Sequence, residues 1–222
     1  MRLLYLAPKG GDVLAPHLVD EFDYVAMVGD AIPEPFPGSM VFQRWRPSLR
    51  LYDLVSVHRP DAILMLLLWQ EAPWVPEVLK EIGRLGTPFL VLKAAGVEAP
   101  VEGNVLTLQC LPSKTGGDPL SVSLAAGKVF LPDSVAEREL GCPDLGEVAT
   151  QIKEFFQSGN LPDSPNVTLK SLKEYLQEEG VEVKVIPGSW PPPLAAAAAK
   201  LSGAVYWAPQ VWERYFTQVV EP

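Results

Sequence analysis

Two glycine-bearing loops contain the residue types best suited to bind an anion. The first is Pro8-Lys9-Gly10-Gly11-Asp12, which follows an apolar run and precedes a helical pattern. The second is Ser113-Lys114-Thr115-Gly116-Gly117-Asp118-Pro119, which also leads into a helical pattern. Glycines let the backbone approach a ligand, and the N-terminus of the following helix attracts negative charge. The sequence therefore predicts ligand-binding residues at Lys9, Gly10, Gly11, Ser113, Lys114, Thr115, Gly116, Gly117 and Asp118.

Each loop has a plainer interpretation that stays open. Neither matches the G-x-G-x-x-G pattern of dinucleotide folds or the G-x-x-x-x-G-K-[ST] phosphate loop. The first can be a tight turn without a ligand. In the second, Asp118 can be just the N-cap of the next helix, with Pro119 at its first position.

Three isolated residues follow predicted strands and are predicted to face the same cleft. They are Glu71, Lys93 and Trp190. A solvated loop end is the alternative for Glu71, and a packing role is the alternative for Trp190. The chain has only two histidines, no Gly-x-Ser-x-Gly motif and no clustered carboxylates, so we expect no metal and assign no catalytic residue.

The elements that must position these loops are apolar segments whose patterns alternate between strand and helix. Residues 61–69 form a continuous apolar run, 73–85 carry an apolar stripe at helical spacing, and 89–92 are apolar again. This is a βαβ unit, and runs that are apolar on both faces are typical of a buried parallel sheet. The same reasoning predicts strands at 2–7, 23–28, 104–110, 128–131, 181–186 and 203–207, and helices at 13–22, 48–57 (capped by Ser48), 120–126, 145–156, 168–179 (capped by Thr168), 194–201 and 209–220.

These segments together predict an α/β, Rossmann-like fold with a mostly parallel sheet of about seven or eight strands flanked by helices. We expect a single α/β unit over residues 1–222. A turn-rich stretch at 159–166 predicts a weak seam before a small C-terminal α/β part, which raises the question of a separate domain at 167–222.

Composition narrows the class of partner. The net charge of −9 disfavours a nucleic-acid backbone or an anionic membrane surface as the main partner. Two cysteines are too few for a disulfide framework, and the first apolar run lacks a cleavage site, so we expect a cytoplasmic protein. The 23 prolines are consistent with a thermophilic source.

Several segments resemble the glycosyltransferases built from two Rossmann-like lobes (GT-B type). The first lobe is similar to residues 1–8, 59–64 and 85–91. The nucleotide-sugar loop of the second lobe is similar to residues 114–131, through Gly117, Pro119, Ala125 and Gly127. The paired glutamates of that family fall at Lys114 and Val122 here, so the resemblance implies a relative that kept the fold and lost catalytic groups.

Two functions follow as alternatives. One is a non-catalytic Rossmann-like module that binds a nucleotide-type ligand, another small phosphorylated molecule or a partner protein, as a subunit of a larger assembly or a homo-oligomer. The other is a glycosyltransferase-like enzyme that uses a nucleotide sugar, and the sequence leaves open whether any reaction is catalysed.

Overall fold

A six-stranded parallel sheet occupies the first half of the protein. The computed structural model describes residues 1–8, 11–30, 32–33, 36–68, 72–94, 97–101, 103–108, 118–161 and 167–217. The strands are β1 (Arg2–Ala7), β2 (Tyr24–Gly29), β3 (Met40–Arg44), β4 (Ala62–Leu67), β5 (Phe89–Ala94) and β6 (Val105–Leu108). Their order is β3-β2-β1-β4-β5-β6, and every neighbouring pair is parallel. This is the strand order of the Rossmann fold.

Helices cover both faces of this sheet because its central strands are apolar on both sides. Four helices do so: α1 (Ala15–Glu21, preceded by a 3₁₀ turn at Gly11–Leu14), α2 (Leu51–His58), α3 (Val75–Ile82) and α6 (Leu145–Ser158). One core cluster contains Leu3, Tyr5 and Leu64 with residues of α1 and α6. The other contains Leu4 and Ile63 with residues of α2 and α3.

Helix α6 comes from the second half of the sequence but packs on the first sheet. Its Val148, Ala149, Ile152 and Phe155 are buried in the same cluster as Leu3. At its outer side, Glu21 of α1 accepts hydrogen bonds from Thr150 Oγ1 at 3.0 Å and from Lys153 Nζ at 3.2 Å. Helix α6 therefore completes the hydrophobic core on one face of the first sheet.

The second half forms two smaller sheets. Its further elements are α4 (Pro119–Ala126), β7 (Lys128–Pro132), α5 (Asp133–Ala136), β8 (Glu139–Pro143), β9 (Val167–Ser171), α7 (Leu172–Glu178), β10 (Glu182–Ile186), α8 (Pro192–Leu201), β11 (Val205–Tyr206) and α9 (Pro209–Tyr215). Strands β10, β7 and β11 make a parallel sheet in that order, and β8 pairs with β9 antiparallel. Trp207 is fully buried against the β10-β7-β11 sheet, and its Nε1 donates to Ser123 Oγ at 2.8 Å.

The α/β, Rossmann-like prediction is confirmed, but the expected seven or eight strands in one sheet are wrong. The main sheet has six strands, because β7, β10 and β11 build a sheet of their own around a separate cluster that includes Val129 and Trp207. The predicted seam at 159–166 falls mainly on residues 162–166, which lie outside the described residues, and it stays a prediction.

Two local predictions are also wrong, and several elements were not predicted. The predicted helix at 168–179 begins as strand β9, and its cap is Ser171 rather than Thr168, since Ser171 and Glu174 form a reciprocal capping box. Helix α2 begins after Arg50 rather than Ser48, and no side chain caps it from that position. Strands β3 and β8 and the short helix α5 were not predicted.

None of the described helices is both long enough and apolar enough to span a bilayer.

Candidate functional site

The order of the main sheet reverses between β1 and β4, which makes the carboxyl ends of these strands a topological switch point. In open α/β sheets, ligands bind in the crevice outside such a point. Gly11 lies there, directly after the β1 loop. A Cβ atom on Gly11 would lie 2.7 Å from Ala7 Cβ and 2.9 Å from Leu66 Cδ2, so only glycine fits.

A hydrogen bond from Tyr5 holds Gly11 in place. Tyr5 on β1 is fully buried, and its hydroxyl donates to the Gly11 carbonyl oxygen at 2.6 Å. Burial, and then the negative charge of Asp12, raise the pKa of the Tyr5 phenol well above its ordinary value. The phenol therefore stays protonated and can keep donating to the loop.

A cavity of about 430 Å³ opens beside the switch point. Its lining residues are Asp30, Trp45, Pro47, Arg50, Pro73, Trp74 and Glu77. Asp30 directly follows β2, Trp45 directly follows β3, and Trp74 directly precedes α3. The cavity, called the Trp pocket below, therefore lies at the carboxyl edge of the sheet, where the β-to-α loops gather.

Two tryptophans form one wall of the Trp pocket. The rings of Trp45 and Trp74 are stacked, with centroids 4.7 Å apart and planes 20° apart. Trp74 is only 6% exposed, whereas Trp45 is half-buried. The backbone N–H of Trp45 donates to the Gly29 carbonyl at 2.9 Å, which fixes this residue against the end of β2.

The tryptophan pair also holds a carboxylate. Trp74 Nε1 donates to both carboxylate oxygens of Asp30, at 3.1 and 3.2 Å. A carboxylate has about four lone-pair sites, so Asp30 can still accept hydrogen bonds from a ligand. This side chain can therefore recognise hydroxyl or N–H groups beside the aromatic wall.

The positively charged side chain of Arg50 lies at the rim of the Trp pocket. Arg50 Nη1 lies 3.2 Å from Glu77 Oε2, and both side chains are more than half exposed. Behind them, Glu81 of α3 accepts from the Leu51 backbone N–H at 3.1 Å and so joins the start of α2 to α3. The exposed guanidinium is suited to a phosphate group, since an exposed ion pair is easily exchanged.

Most of the predicted loop residues lie outside the described residues: Lys9, Gly10, Glu71 and the whole of 113–117. Their assignment to a ligand stays a prediction. Asp118 is described, and it N-caps α4 by accepting from the Leu120 and Ser121 backbone N–H groups at 3.0 and 3.1 Å. This is the geometry of the plainer interpretation, and a ligand role for Asp118 stays untested.

Lys93 and Trp190 have partners within the protein. Lys93 Nζ donates to the Val97 carbonyl oxygen at 2.8 Å. Trp190 packs against the cluster of Phe130, Ile186, Ala195 and Ala199, away from the main sheet. Gly11 is thus the described residue of the predicted set that lies at the switch point.

Sequence reasoning missed the residues of the Trp pocket. One signal was available for Asp30, because it follows the second strand about 20 residues after the first glycine loop, which is the spacing of the ribose-binding acid in dinucleotide folds. Trp45 had no such signal, because the strand before it was itself not predicted.

A second cavity, of about 380 Å³, lies between the 3₁₀ turn and the second half of the chain. It is lined by Val13, Cys142, Pro143, Leu145, Lys170, Tyr175, Glu178 and Glu179. Lys170 pairs with Glu178, and this hydrogen bond is the main cause that raises the pKa of the lysine. Because Glu178 already neutralises the lysine, the cavity offers little attraction for an anion.

Neither histidine lines the Trp pocket. His58 is buried at the opposite edge of the sheet, with Tyr24 Oη 3.0 Å from its Nδ1 and Gln43 Oε1 3.3 Å from its Nε2. Burial, and then the charge of Arg2, lower the pKa of His58. Across the described part of the chain, no three His, Cys, Asp or Glu side chains gather to hold a metal ion.

The sequence matches no protein-family model and no curated protein. Among solved structures, the chain is similar to "MoeE5 in complex with UDP-glucuronic acid and NAD", at 12% identity and a TM-score of 0.48 over 84% of this chain and 86% of that one. It is also similar to "AtPrR2 in apo form", at 13% identity and a TM-score of 0.32 over 91% of this chain and 85% of that one. Likenesses this distant assign no function. The class that the strand order itself defines is a Rossmann-like α/β protein.

Proposed function

We propose that this protein is a non-catalytic Rossmann-like module that binds a nucleotide-type ligand in the Trp pocket. The observation that carries the proposal is the placement of Asp30. Its carboxylate is oriented by Trp74 beside a stacked aromatic wall, at the carboxyl end of β2. This combination matches the two halves of a nucleoside, which are a flat base and a sugar with hydroxyl donors.

The base would lie against the half-buried ring of Trp45. Stacking of a base on an aromatic side chain is worth about 1–3 kcal/mol and depends little on which base is present. The sugar hydroxyls would donate to Asp30, in the role that an acid at this strand end has in dinucleotide folds.

The phosphate would point toward the loop after β1. Strands β1 and β2 are neighbours, so the end of β1 at Ala7 lies one strand spacing, about 4.8 Å, from the end of β2 at Gly29, which precedes Asp30. Gly11, which has no room for a side chain, lets this turn pack closely against Ala7 and Leu66 and so fixes the start of the following 3₁₀ turn at this edge. Arg50 at the rim supplies a second contact for negative charge.

The non-catalytic assignment follows from the chemistry of the lining. Among the described residues that line the Trp pocket there is no serine, cysteine or histidine, and both carboxylates already have partners, Asp30 with Trp74 and Glu77 with Arg50. The glycosyltransferase-like alternative would need such groups from the predicted 113–117 loop. A partner protein is the other alternative, with Trp45 as its aromatic anchor.

Titration of intrinsic tryptophan fluorescence tests the proposal, with ATP, AMP, NAD and UDP-glucose as probes. We expect saturable binding of at least one of them. Trp45→Ala and Asp30→Ala should each weaken that binding by roughly tenfold to a hundredfold, as expected for the loss of 1–3 kcal/mol. Trp190→Ala is the matched control, since it removes a tryptophan outside the pocket, and it should leave the affinity unchanged.

Two results would overturn the proposal. One is the absence of binding by all four probes at millimolar concentration, and the other is binding that survives both pocket variants. If Lys114→Ala combined with Gly117→Val abolishes binding while the pocket variants do not, the ligand site lies in the second predicted loop. Release of glucose from UDP-glucose in an NMR time course would favour the glycosyltransferase-like alternative.

A further inference from the structure

The outer edge of strand β10 presents backbone groups for pairing. In the sheet order β10-β7-β11, β10 is an edge strand, and no described strand pairs with its outer side. Glu182 N–H donates to the Gly127 carbonyl on the β7 side at 3.0 Å. Because backbone groups alternate in direction along a strand, Val183 and Val185 point their N–H and C=O groups outward.

The side chains of this edge are exposed as well. Val185 is 41% exposed, and the Glu182 side chain is 67% exposed. Exposed edge strands are templates for pairing with another chain.

The sequence of the edge is self-complementary. Residues 181–185 read Val-Glu-Val-Lys-Val, which is symmetric about Val183 except that the charges are opposite. In an antiparallel pair of two copies centred on Val183, Glu182 of each copy lies opposite Lys184 of the other. Opposite charges in directly facing positions stabilise a pair of strands.

Backbone geometry selects the same register. Val183 of the two copies would exchange both N–H···O bonds, and Val185 N–H of each copy would donate to the Val181 carbonyl of the other. Moving the register by two residues keeps the outward groups paired but places either Glu182 opposite Glu182 or Lys184 opposite Lys184. Like charges in those positions are destabilising.

The side-chain faces agree with this register. Val181 and Val183 belong to the core cluster around Trp207, while Glu182 and Lys184 lie on the other face, beside Lys128 and Phe130. Directly opposed residues share a face, so the exposed Val185 of each copy would be covered by Val181 of the other.

We propose that β10 is an interaction surface for a second copy of this chain, which joins two three-stranded sheets into one six-stranded sheet. The pairing is isologous, because the same residues act on both sides of a two-fold axis. It is independent of the Trp pocket, so its failure would leave the proposed nucleotide binding intact.

Sedimentation analysis of the full chain and two single charge variants tests the interface. We expect the wild type to dimerise at concentrations on the order of 100 µM or below. Lys184→Glu and Glu182→Lys should each weaken dimerisation by roughly tenfold to a hundredfold, since two attractive pairs become two repulsive ones. An equimolar mixture of the two variants should form a heterodimer, because Glu then faces Lys at both positions again.

Circular dichroism keeps the test independent of folding, and Lys200→Glu, an exposed charge reversal on α8, is the matched control that should dimerise like the wild type. A wild type that stays monomeric at these concentrations would overturn the proposal. Dimerisation that persists in both single variants, or a mixture that stays monomeric when the wild type dimerises, would do so too.

Discussion

Replacement of Tyr5 by phenylalanine should destabilise the protein by about 1–3 kcal/mol. The ring stays in place, so the core keeps its packing, but the Gly11 carbonyl loses the hydroxyl that donates to it at 2.6 Å. Both residues are buried, and a buried acceptor left without its partner loses that much free energy. With a urea m-value of about 2–3 kcal/mol/M, a loss of 2 kcal/mol lowers the unfolding midpoint by roughly 0.7–1 M.

Alkaline pH gives this prediction a second readout. The folded-state pKa of Tyr5 is raised, so the unfolded chain releases the phenolic proton first as pH rises above about 10. The free energy of unfolding that the protonated phenol contributes is therefore fully present below about pH 10. It is lost progressively as the pH rises from there toward the raised folded-state pKa. The wild type should lose stability more steeply than the phenylalanine variant in that range.

Urea unfolding followed by circular dichroism at pH 7 and above pH 10 measures both effects. Tyr52→Phe is the matched control. Tyr52 is 69% exposed, so its hydroxyl is in solvent and its removal should change the free energy of unfolding little. Equal midpoints for the Tyr5 variant and the wild type at pH 7 would refute the reasoning that this hydroxyl holds the β1 loop.

Three further predictions concern stability, each measured by urea unfolding. Gly29→Ala should destabilise the fold by about 3 kcal/mol or more, since the added Cβ would lie 2.2 Å from a β1 carbonyl oxygen, whereas Gly38→Ala, with no atom within 4 Å, should be nearly neutral; similar losses in both would contradict this. The wild type should lose stability as pH falls below about 6.5, because burial lowers the folded-state pKa of His58 and the unfolded chain then binds the extra proton; an unchanged acid slope in His58→Gln would show that another group is responsible. Ser123→Ala should cost about 1–3 kcal/mol by leaving the buried Trp207 indole N–H without its acceptor, and a midpoint within error of the wild type would disprove that role.

The fold was largely predictable from the sequence because the central strands are buried on both faces. Short continuous apolar runs such as that of β4 are typical of strands that are buried between two layers of helices. Edge elements escaped prediction for the opposite reason. Strand β3 is only partly buried and follows a proline-rich stretch, so its sequence carries neither a continuous nor a clean alternating pattern.

Sequence patterns also cannot decide which strands share a sheet. The apolar run of β7 resembles that of β5, yet β7 pairs with β10 and β11. Pairing depends on contacts between residues far apart in the chain, and periodicity reports only the local burial of each segment.

The predicted ligand role of the glycine loops stays a prediction. Parallel strands bring their carboxyl ends to one edge, and Gly11 lies at this edge of the main sheet. The Trp pocket depends instead on three segments that meet in space, at Asp30, Trp45 and Trp74. No spacing rule links the two tryptophans, because their contact arises from the packing of one loop over another.

The position of α6 has a consequence for how the protein is made. The ribosome releases the strands of the main sheet first, while the helix that shields one of its sides is encoded some forty residues beyond β6. Until synthesis has passed Ser158, the face of the main sheet that α1 and α6 share is covered by α1 alone. Fragments that end before α6 should therefore aggregate or be degraded, and only chains that include α6 should fold independently.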